Sequence, residues 1–388
     1  MKLIHITSKP PFPSIDGGCY ASARLLNDLL ELNIDIEHYT ISTDKHPFDK
    51  QAYPEYLRTK ISPENVQLKT NVNAFGFLKS WLSGSSYNLD RFKSSNWSNK
   101  ILKEFRSSNN NFLVIDGLYG GTFLSELSNK EKSRVFVRAH NIEHEIWRGH
   151  KENCKNPFKK ALLSLLYKRL KAQEIQLLKK CKRVLTLSSE DEAVLTKYDI
   201  GFTTLPVSIP NQARLCDYSV CNLFHVGNMN WKPNQEAVEE LIDIHQSLIA
   251  EIPDLTLHLY GSGVEKFELG NKNMVRRHGF VEHVEDIFTK SGILISPIKS
   301  GSGIRIKLLE ALSFGVPVVT TSLGAAGINT DSGILIAETK EEFIRQAKKL
   351  IQSAETRESL GTNGKEYISK VHAPKKVVEK LKSLFVES

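Results

Sequence analysis

Residues 301–321 read GSGIRIKLLEALSFGVPVVTT. A glycine loop comes first. An amphipathic stretch follows, with Ile304, Leu308, Ala311 and Leu312 at helical spacing, and VPVV closes as a short apolar run. Just upstream, GILISPI (292–298) is a second apolar run of strand length. Strand, loop, helix and strand in that order make the repeating unit of a parallel sheet covered by helices. The charges pose a sharper question. Arg305 and Lys307 fall in the first turns of the predicted helix, where the helix dipole favours acids over cations. Either they are solvated surface charges, or glycine amides and two cations together cradle an anion, with Glu310 nearly two turns into the helix.

The same alternation extends outward in both directions. KLIHIT (2–7), IDIEHYTI (34–41), NFLVIDG (111–117), SRVFVRAHN (133–141) and the start of RVLTLSSEDEAVLTKY (183–198) read as strands. CYASARLLNDLLELN (19–33) and the part after Ser188 read as helices. The segment 48–99 reads as loops and short helices. Near Leu205 the texture changes to a proline-bearing stretch without period, and a second α/β series then begins. The expected organisation is a first Rossmann-like domain over 1–205, a linker over 206–222 and a second Rossmann-like domain over 223–372. The last helix, 373–388, has apolar Val377, Val378, Leu381, Leu384 and Phe385 and is expected to pack back on the first domain. Two such domains predict a cleft that a substrate bridges.

Composition narrows the class. The 388 residues are 40% hydrophobic and 25% charged, as in a soluble globular protein, and no run reaches the ~18 apolar residues of a membrane span. The opening segment lacks the apolar core of a signal peptide. Five cysteines at scattered spacing suit reduced thiols, so the expected location is cytoplasmic. The net charge of +8 is concentrated: twelve Lys or Arg against three Glu between Glu145 and Arg183 give +9 there and leave −1 elsewhere. Such a patch suits a solvated helix face, an anionic membrane, nucleic acid or a phosphate-bearing substrate.

Candidate ligand residues cluster at strand exits. Gly17 and Gly18 precede the first helix, and no G-x-G-x-x-G dinucleotide fingerprint follows the first strand. His140 ends a strand and is the ligand-facing candidate of RAHNIEHEIW, whose Glu143, His144 and Glu145 are expected on a helix surface. The order H-N-I-E-H is not a zinc-binding H-E-x-x-H, no D-x-D pair follows a suitable strand, and no metal is expected. In the second series Gly227, Asn228 and Lys232 lie after one strand, and Gly261 and Gly263 after the next. Phe280 and Val281 stand beside a turn that could face a flat base. Ser302, Gly303, Arg305, Lys307 and Glu310 belong to the opening stretch.

With these pieces placed, the chain resembles the retaining glycosyltransferases of the GT-B fold, and specifically glycosyltransferase family 4. The similar segments are DGG (16–18), RAHNIEHEIW (138–147), VGNMNWKPNQEAV (226–238), YGSG (260–263), GFVEHVEDIF (279–288) and SGSGIRIKLLEALSFGVPVVTTSLGAAGI (300–328), in the family's order. The resemblance implies a nucleoside diphosphate sugar, UDP- or GDP-linked, bound by the second domain. It implies a saccharide or lipid-linked saccharide acceptor on the first. By the same resemblance Glu310 would bind the ribose, Arg305 and Lys307 would lie near the phosphates, and Phe280 and Val281 would frame the base. Gly17 and Gly18 would form the loop near donor phosphate and acceptor, and His140 would touch the transferred sugar. Two departures stand out. Ser302 occupies the place of the earlier acid in the family's E-x7-E motif, so the loop amides are expected to do its work. Asn228 stands where the family has a basic residue, which shifts load to Lys232 and Arg305.

The implied enzyme needs no cofactor and no essential metal, and acts in cell-surface polysaccharide or glycoconjugate synthesis. The 145–183 patch would rest on the anionic inner face of a membrane. Two other readings stay open: a nucleotide-sugar epimerase of the same fold, and a non-enzymatic basic nucleic-acid-binding protein. The latter predicts recognition elements beyond the patch, and none is found.

Overall fold

A computed structural model describes residues 1–213, 215–267, 274–290, 292–301, 303–329 and 331–385. The chain forms two compact units, one of Met1–Val207 with Val377–Ser388, the other of Ser208–Lys376.

The first unit is built on seven strands: β1 (Lys2–Thr7), β2 (Asp35–Ser42), β3 (Glu64–Gln67), β4 (Phe112–Asp116), β5 (Val135–Arg138), β6 (Arg183–Thr186) and β7 (Phe202–Thr204). All pair in parallel, in the order β3-β2-β1-β4-β5-β6-β7. Its α-helices are α1 (Gly17–Leu30), α2 (Glu55–Lys60), α3 (Ala74–Ser83), α4 (Tyr87–Asp90), α5 (Ser95–Arg106), α6 (Glu143–Glu152), α7 (Pro157–Leu178) and α8 (Ser189–Lys197). Central strands carry continuous apolar runs because helices cover both of their faces; Leu3, Ile4, Ile6, Leu113, Val114 and Ile115 have no solvent exposure. Local signals place the helix starts. Asp16 accepts a hydrogen bond from the Cys19 amide to open α1, Asn156 with Pro157 opens α7, and Ser188 opens α8.

The second unit repeats the plan with β8 (Leu223–Val226), β9 (Leu257–Tyr260), β10 (Val275–Gly279), β11 (Ile293–Ser296), β12 (Val318–Thr320) and β13 (Ile334–Ile336), ordered β10-β9-β8-β11-β12-β13 and again parallel. Its α-helices are α9 (Lys232–Ile249), α10 (Val284–Phe288), α11 (Ile306–Ser313), α12 (Lys340–Gln352) and α13 (Ala354–Tyr367). A full capping box, Thr339 with Glu342, opens α12. In both sheets the strand order reverses once, between β1 and β4 and between β8 and β11. Chains leaving two such strands cross over in opposite directions, which opens a crevice at their carboxyl ends.

Two edge strands escape the sequence reading. In β3 the residues are Glu-Asn-Val-Gln, polar and only partly buried, and β7 has three residues. Neither carries a hydrophobic pattern, because each forms by adding one row of backbone hydrogen bonds to a sheet already in place.

The last helix, α14 (Pro374–Phe385), buries Val377, Leu381 and Phe385 in the apolar cluster of the first unit that includes Leu3, Leu25, Val114 and Phe136. The Phe385 ring meets Phe136 edge-on at 4.8 Å and Phe112 at 5.7 Å. Phe385→Ala should therefore lower stability by about 3–5 kcal/mol, while Phe385→Leu should cost a fraction of that, both read by urea unfolding. Equal, small effects from both would show that the helix does not anchor there.

Candidate functional site

In the second unit the exits of β8, β9 and β10 lock together through backbone. The Gly227 amide donates to the Tyr260 carbonyl at 3.0 Å, Met229 to Ser262 at 2.8 Å and Gly261 to Gly279 at 2.6 Å. Gly261 has φ +119°, and a Cβ there would lie 1.9 Å from the Gly227 carbonyl oxygen, so no other residue fits. Gly301 sits close against the Trp231 indole, where a Cβ would come within 2.7 Å of a ring carbon. These contacts bring the loop 227–231 against the loop that leads into α11.

Arg305 is the residue before α11, with extended backbone, and not part of its first turn. Its side chain is buried. Nη1 donates to the Gly303 carbonyl at 2.7 Å and Nη2 to Ser300 at 3.4 Å, and the guanidinium lies 5.4 Å from the Trp231 ring centre. Burial lowers its pKa to about 10, which still leaves it charged at neutral pH.

Lys307, in the first turn of α11, spans the crevice between β11 and β8. Its ammonium donates to Nε2 of His225 at 3.1 Å and to Oδ1 of Asn234 at 3.0 Å. Both acceptors are themselves held. His225 Nδ1 lies 2.9 Å from the Ile295 carbonyl, which fixes the neutral tautomer with Nε2 free to accept. Burial, with Lys307 adding to it, keeps that imidazole neutral. Asn234 Nδ2 donates to the Asn228 carbonyl at 3.0 Å. Among the described residues Lys307 has no carboxylate partner. Burial, reinforced by Arg305, lowers its pKa to about 7. Glu310, on the same helix, is pushed up to about 7 by burial and by Glu285. The result is two cations and one acid at a strand-to-helix junction, largely withdrawn from water, with no carboxylate on Lys307 among the described residues. Such groups gain more from a ligand that supplies opposite charge than solvated ones do.

The remaining sequence candidates of this unit sit around that centre. Gly227, Gly261 and Gly263 form the interlocked loops. Asn228 is exposed and contributes through its carbonyl to Asn234. Lys232 opens α9, is 80% exposed at its side chain and pairs with Glu236 at 3.5 Å on the helix surface. Phe280 points outward, 75% exposed, with Val281 half-buried behind the positive-φ Gly279. Gly303 has φ +80° and offers its carbonyl to Arg305. Ser302 lies outside the described residues.

The first unit has a second polar centre at its own strand reversal. His140 Nε2 lies 2.7 Å from Oδ1 of Asp116, at the end of β4, and Arg138 lies 3.8 Å from the same oxygen. Burial alone would raise the Asp116 pKa, but His140 and Arg138 outweigh it and hold the carboxylate ionised. Arg138 also donates to the Ala21 carbonyl of α1 at 2.9 Å, which ties the glycine-started helix to the same centre. Gly17 is exposed, and a Cβ on Gly18 would lie 2.6 Å from the Lys9 ammonium, which is paired with Asp16.

One expectation fails here. His144 is buried, with Nδ1 2.7 Å from Glu174, and does not lie on a helix surface. Glu143 accepts from the Tyr119 hydroxyl at 2.9 Å, and its pKa rises to about 7 through burial and the neighbouring Glu174. The reason is α7, which lays Glu174 against the amides of residues 143 and 144 at 2.8 Å each; no local pattern in the sequence announces that packing. Asp116, Arg138, His225 and Asn234 are the polar residues the sequence reading missed. Each stands in a run that looks like ordinary strand or helix, and the available signal was a polar residue in an apolar strand, as at Asp116, Arg138 and His225.

Residues 221–353 match the family model of the group 1 glycosyl transferases. A relative described as an uncharacterized 44.6 kDa protein in the cps region of Klebsiella pneumoniae is 27% identical over 199 residues. That match spans 47% of this chain and 50%, or half, of the relative. Among solved structures, WaaG, a glycosyltransferase involved in lipopolysaccharide biosynthesis, aligns over 99% of this chain and 100% of its own, with a TM-score of 0.67 and 16% identity. HepE of Anabaena, in complex with UDP-glucose, aligns over 100% of both chains, with a TM-score of 0.69 and 11% identity. Those identities speak for the fold alone. Residues 221–353 thus resemble a group 1 glycosyl transferase domain, within a chain of two parallel-sheet, Rossmann-like units that shares its fold with GT-B glycosyltransferases.

Proposed function

We propose that the protein is a retaining glycosyltransferase of family 4 that moves a sugar from a nucleoside diphosphate sugar to a saccharide or lipid-linked saccharide acceptor in cell-surface polysaccharide synthesis. The observation that carries this reading is the buried Arg305 and the half-buried Lys307 at the β8/β11 strand reversal, with Glu310 on the same helix. A diphosphate supplies negative charge that Lys307 and Arg305 can face together, and the ribose hydroxyls suit the carboxylate of Glu310. UDP-linked donors are the first to test, because HepE is described in complex with UDP-glucose.

In the reaction the bond between the anomeric carbon and the diphosphate oxygen breaks as the acceptor oxygen bonds to the same face of that carbon. The acceptor proton passes to the departing phosphate oxygen. Arg305, Lys307 and the amides of the loop before α11 stabilise the charge that grows on the diphosphate. Lys232, exposed at the start of α9, would add a further cation. His140, held by Asp116, would present a hydrogen bond to the transferred sugar, with Gly17 and Gly18 allowing its close approach. No residue is assigned to an essential metal. The basic segment 145–183 would hold the protein on the anionic inner face of a membrane.

A melting-shift screen of UDP, GDP and their sugars tests the donor site. One nucleotide should raise Tm, and Arg305→Ala should abolish that shift and reduce transfer by about a hundredfold or more. Near-normal transfer by the variant would sink the diphosphate assignment. Product analysis with and without an acceptor separates transfer from epimerisation.

The two shifted groups set a pH dependence of opposite limbs. An anionic donor needs Lys307 protonated, so affinity should fall as pH rises through about 7. Hydrogen bonding from ribose needs Glu310 ionised, so affinity should also fall as pH drops through about 7. Calorimetric titration of the nucleotide sugar should show a maximum near neutrality. Glu310→Gln should remove the acid limb and Lys307→Met the alkaline one. A flat profile in the parent protein would rule out both assignments.

A further inference from the structure

Helix α3 turns its apolar face away from the protein. At 100° per residue Phe75, Leu78 and Leu82 fall on one side, and they are 80%, 54% and 78% exposed, with Val72 just upstream 79% exposed. The inward side carries Phe77, edge-on to Tyr87 at 5.7 Å, and Ser80, whose Oγ donates to Asp90 at 2.7 Å. Apolar side chains therefore stand on both sides of the helix, with Phe77 and a serine inside and a phenylalanine and two leucines outside. Single exposed apolar side chains are ordinary on protein surfaces, but a contiguous stripe marks a site of interaction.

The surroundings name the partner. No acid occurs between Glu64 and Asp90, a span that contains Lys69 and Lys79. Helix α7 lies against the end of α3: Arg169 donates to the carbonyls of Ser80 at 2.9 Å and Trp81 at 3.1 Å, and its guanidinium stands 5.3 Å from the Trp81 ring centre. That segment too is free of acids from Asn153 to Gln173 and carries Lys155, Lys159, Lys160, Lys168, Arg169 and Lys171. Among these cations Phe158 and Leu162, one helical turn apart, are 87% and 44% exposed.

We propose that α3 and the first turns of α7 form a face that lies in the surface of an anionic lipid bilayer. Phe75, Leu78, Leu82 and Val72 enter the headgroup–acyl boundary, and the flanking lysines keep their ammonium groups among anionic headgroups. A protein partner fits less well, since lysine is depleted from the cores of protein interfaces. A second copy would bring two cationic faces together. No helix among the described residues is long and apolar enough to cross a membrane, so the face docks in the plane. The inference extends the electrostatic role given above to 145–183 by adding an apolar contact that salt cannot screen.

The test is co-sedimentation of the full chain with phosphatidylglycerol/phosphatidylcholine vesicles and with phosphatidylcholine alone, at low and high salt. The parent should bind the anionic vesicles and retain part of that binding at high salt. Phe75→Ser/Leu78→Ser/Leu82→Ser should weaken partitioning by about tenfold or more, with an unchanged melting temperature because the three side chains are exposed. Lys159→Glu/Lys160→Glu should remove only the salt-sensitive part. Parental binding by the triple variant overturns the insertion of α3 and leaves a purely electrostatic contact. A lipid-free dimer that the triple variant abolishes also overturns it and assigns the face to self-association. Transfer to a water-soluble acceptor, measured in parallel, reports on the glycosyltransferase reading separately, because α3 holds none of the residues assigned to it.

Discussion

The second unit depends on the divergence of β8 and β11. These strands are neighbours, yet the chain leaving β8 returns through β9 on one side and the chain leaving β11 returns through β12 on the other. Right-handed crossovers then put their helices on opposite faces of the sheet, and nothing from either crossover fills the gap above the two strand ends. Lys307 reaches into that gap from α11 and is caught by His225 of β8 and Asn234 of α9. One ammonium group thereby fastens both sides of the crevice. Its acceptors are neutral, so the charge is positioned without being neutralised.

That choice of neutral partners has an energetic consequence. A buried lysine paired with a carboxylate would be stable and silent. A half-buried lysine held by an imidazole and an amide stays charged toward the crevice at the cost of a lowered pKa. Arg305 is fixed in a related way, on backbone carbonyls and beside an indole. The glycines that interlock the neighbouring loops supply close backbone approach. Their geometry brings Gly261 against Gly227 and Gly301 against Trp231. The first unit uses a different arrangement at the equivalent reversal. There Asp116 is buried, ionised and paired, and it holds His140 by a short hydrogen bond. Fold repetition has produced two crevices, and the side chains within them have opposite electrostatic designs.

How much of this could be read from residues alone varies with the source of each signal. The stretch 301–321 announces loop, helix and strand because its apolar period changes within twenty-one residues. Arg305, Lys307 and Glu310 stand out for the same reason, as charges placed against the helix dipole and at helical spacing. The tail helix is legible through Val377, Leu381 and Phe385. By contrast β3 has no pattern to detect, since its stability comes from a neighbour. His144 was misread because its partner, Glu174, arrives from thirty residues away. The outward stripe on α3 is invisible as such, because its hydrophobic period is identical whether the face points in or out.

Sequence alone therefore determined the alternation of elements, the position of the cationic strand-to-helix junction and the concentration of positive charge in 145–183. These are local quantities, set by the spacing and chemistry of residues within a turn or two of one another. Tertiary structure alone decided that Lys307 is held by His225 and Asn234, that His140 is held by Asp116, and that α3 shows its apolar face to the outside. Each of those depends on a contact between segments far apart in the chain, and burial, on which their altered pKa values rest, is a property of the packed unit and not of any residue in it.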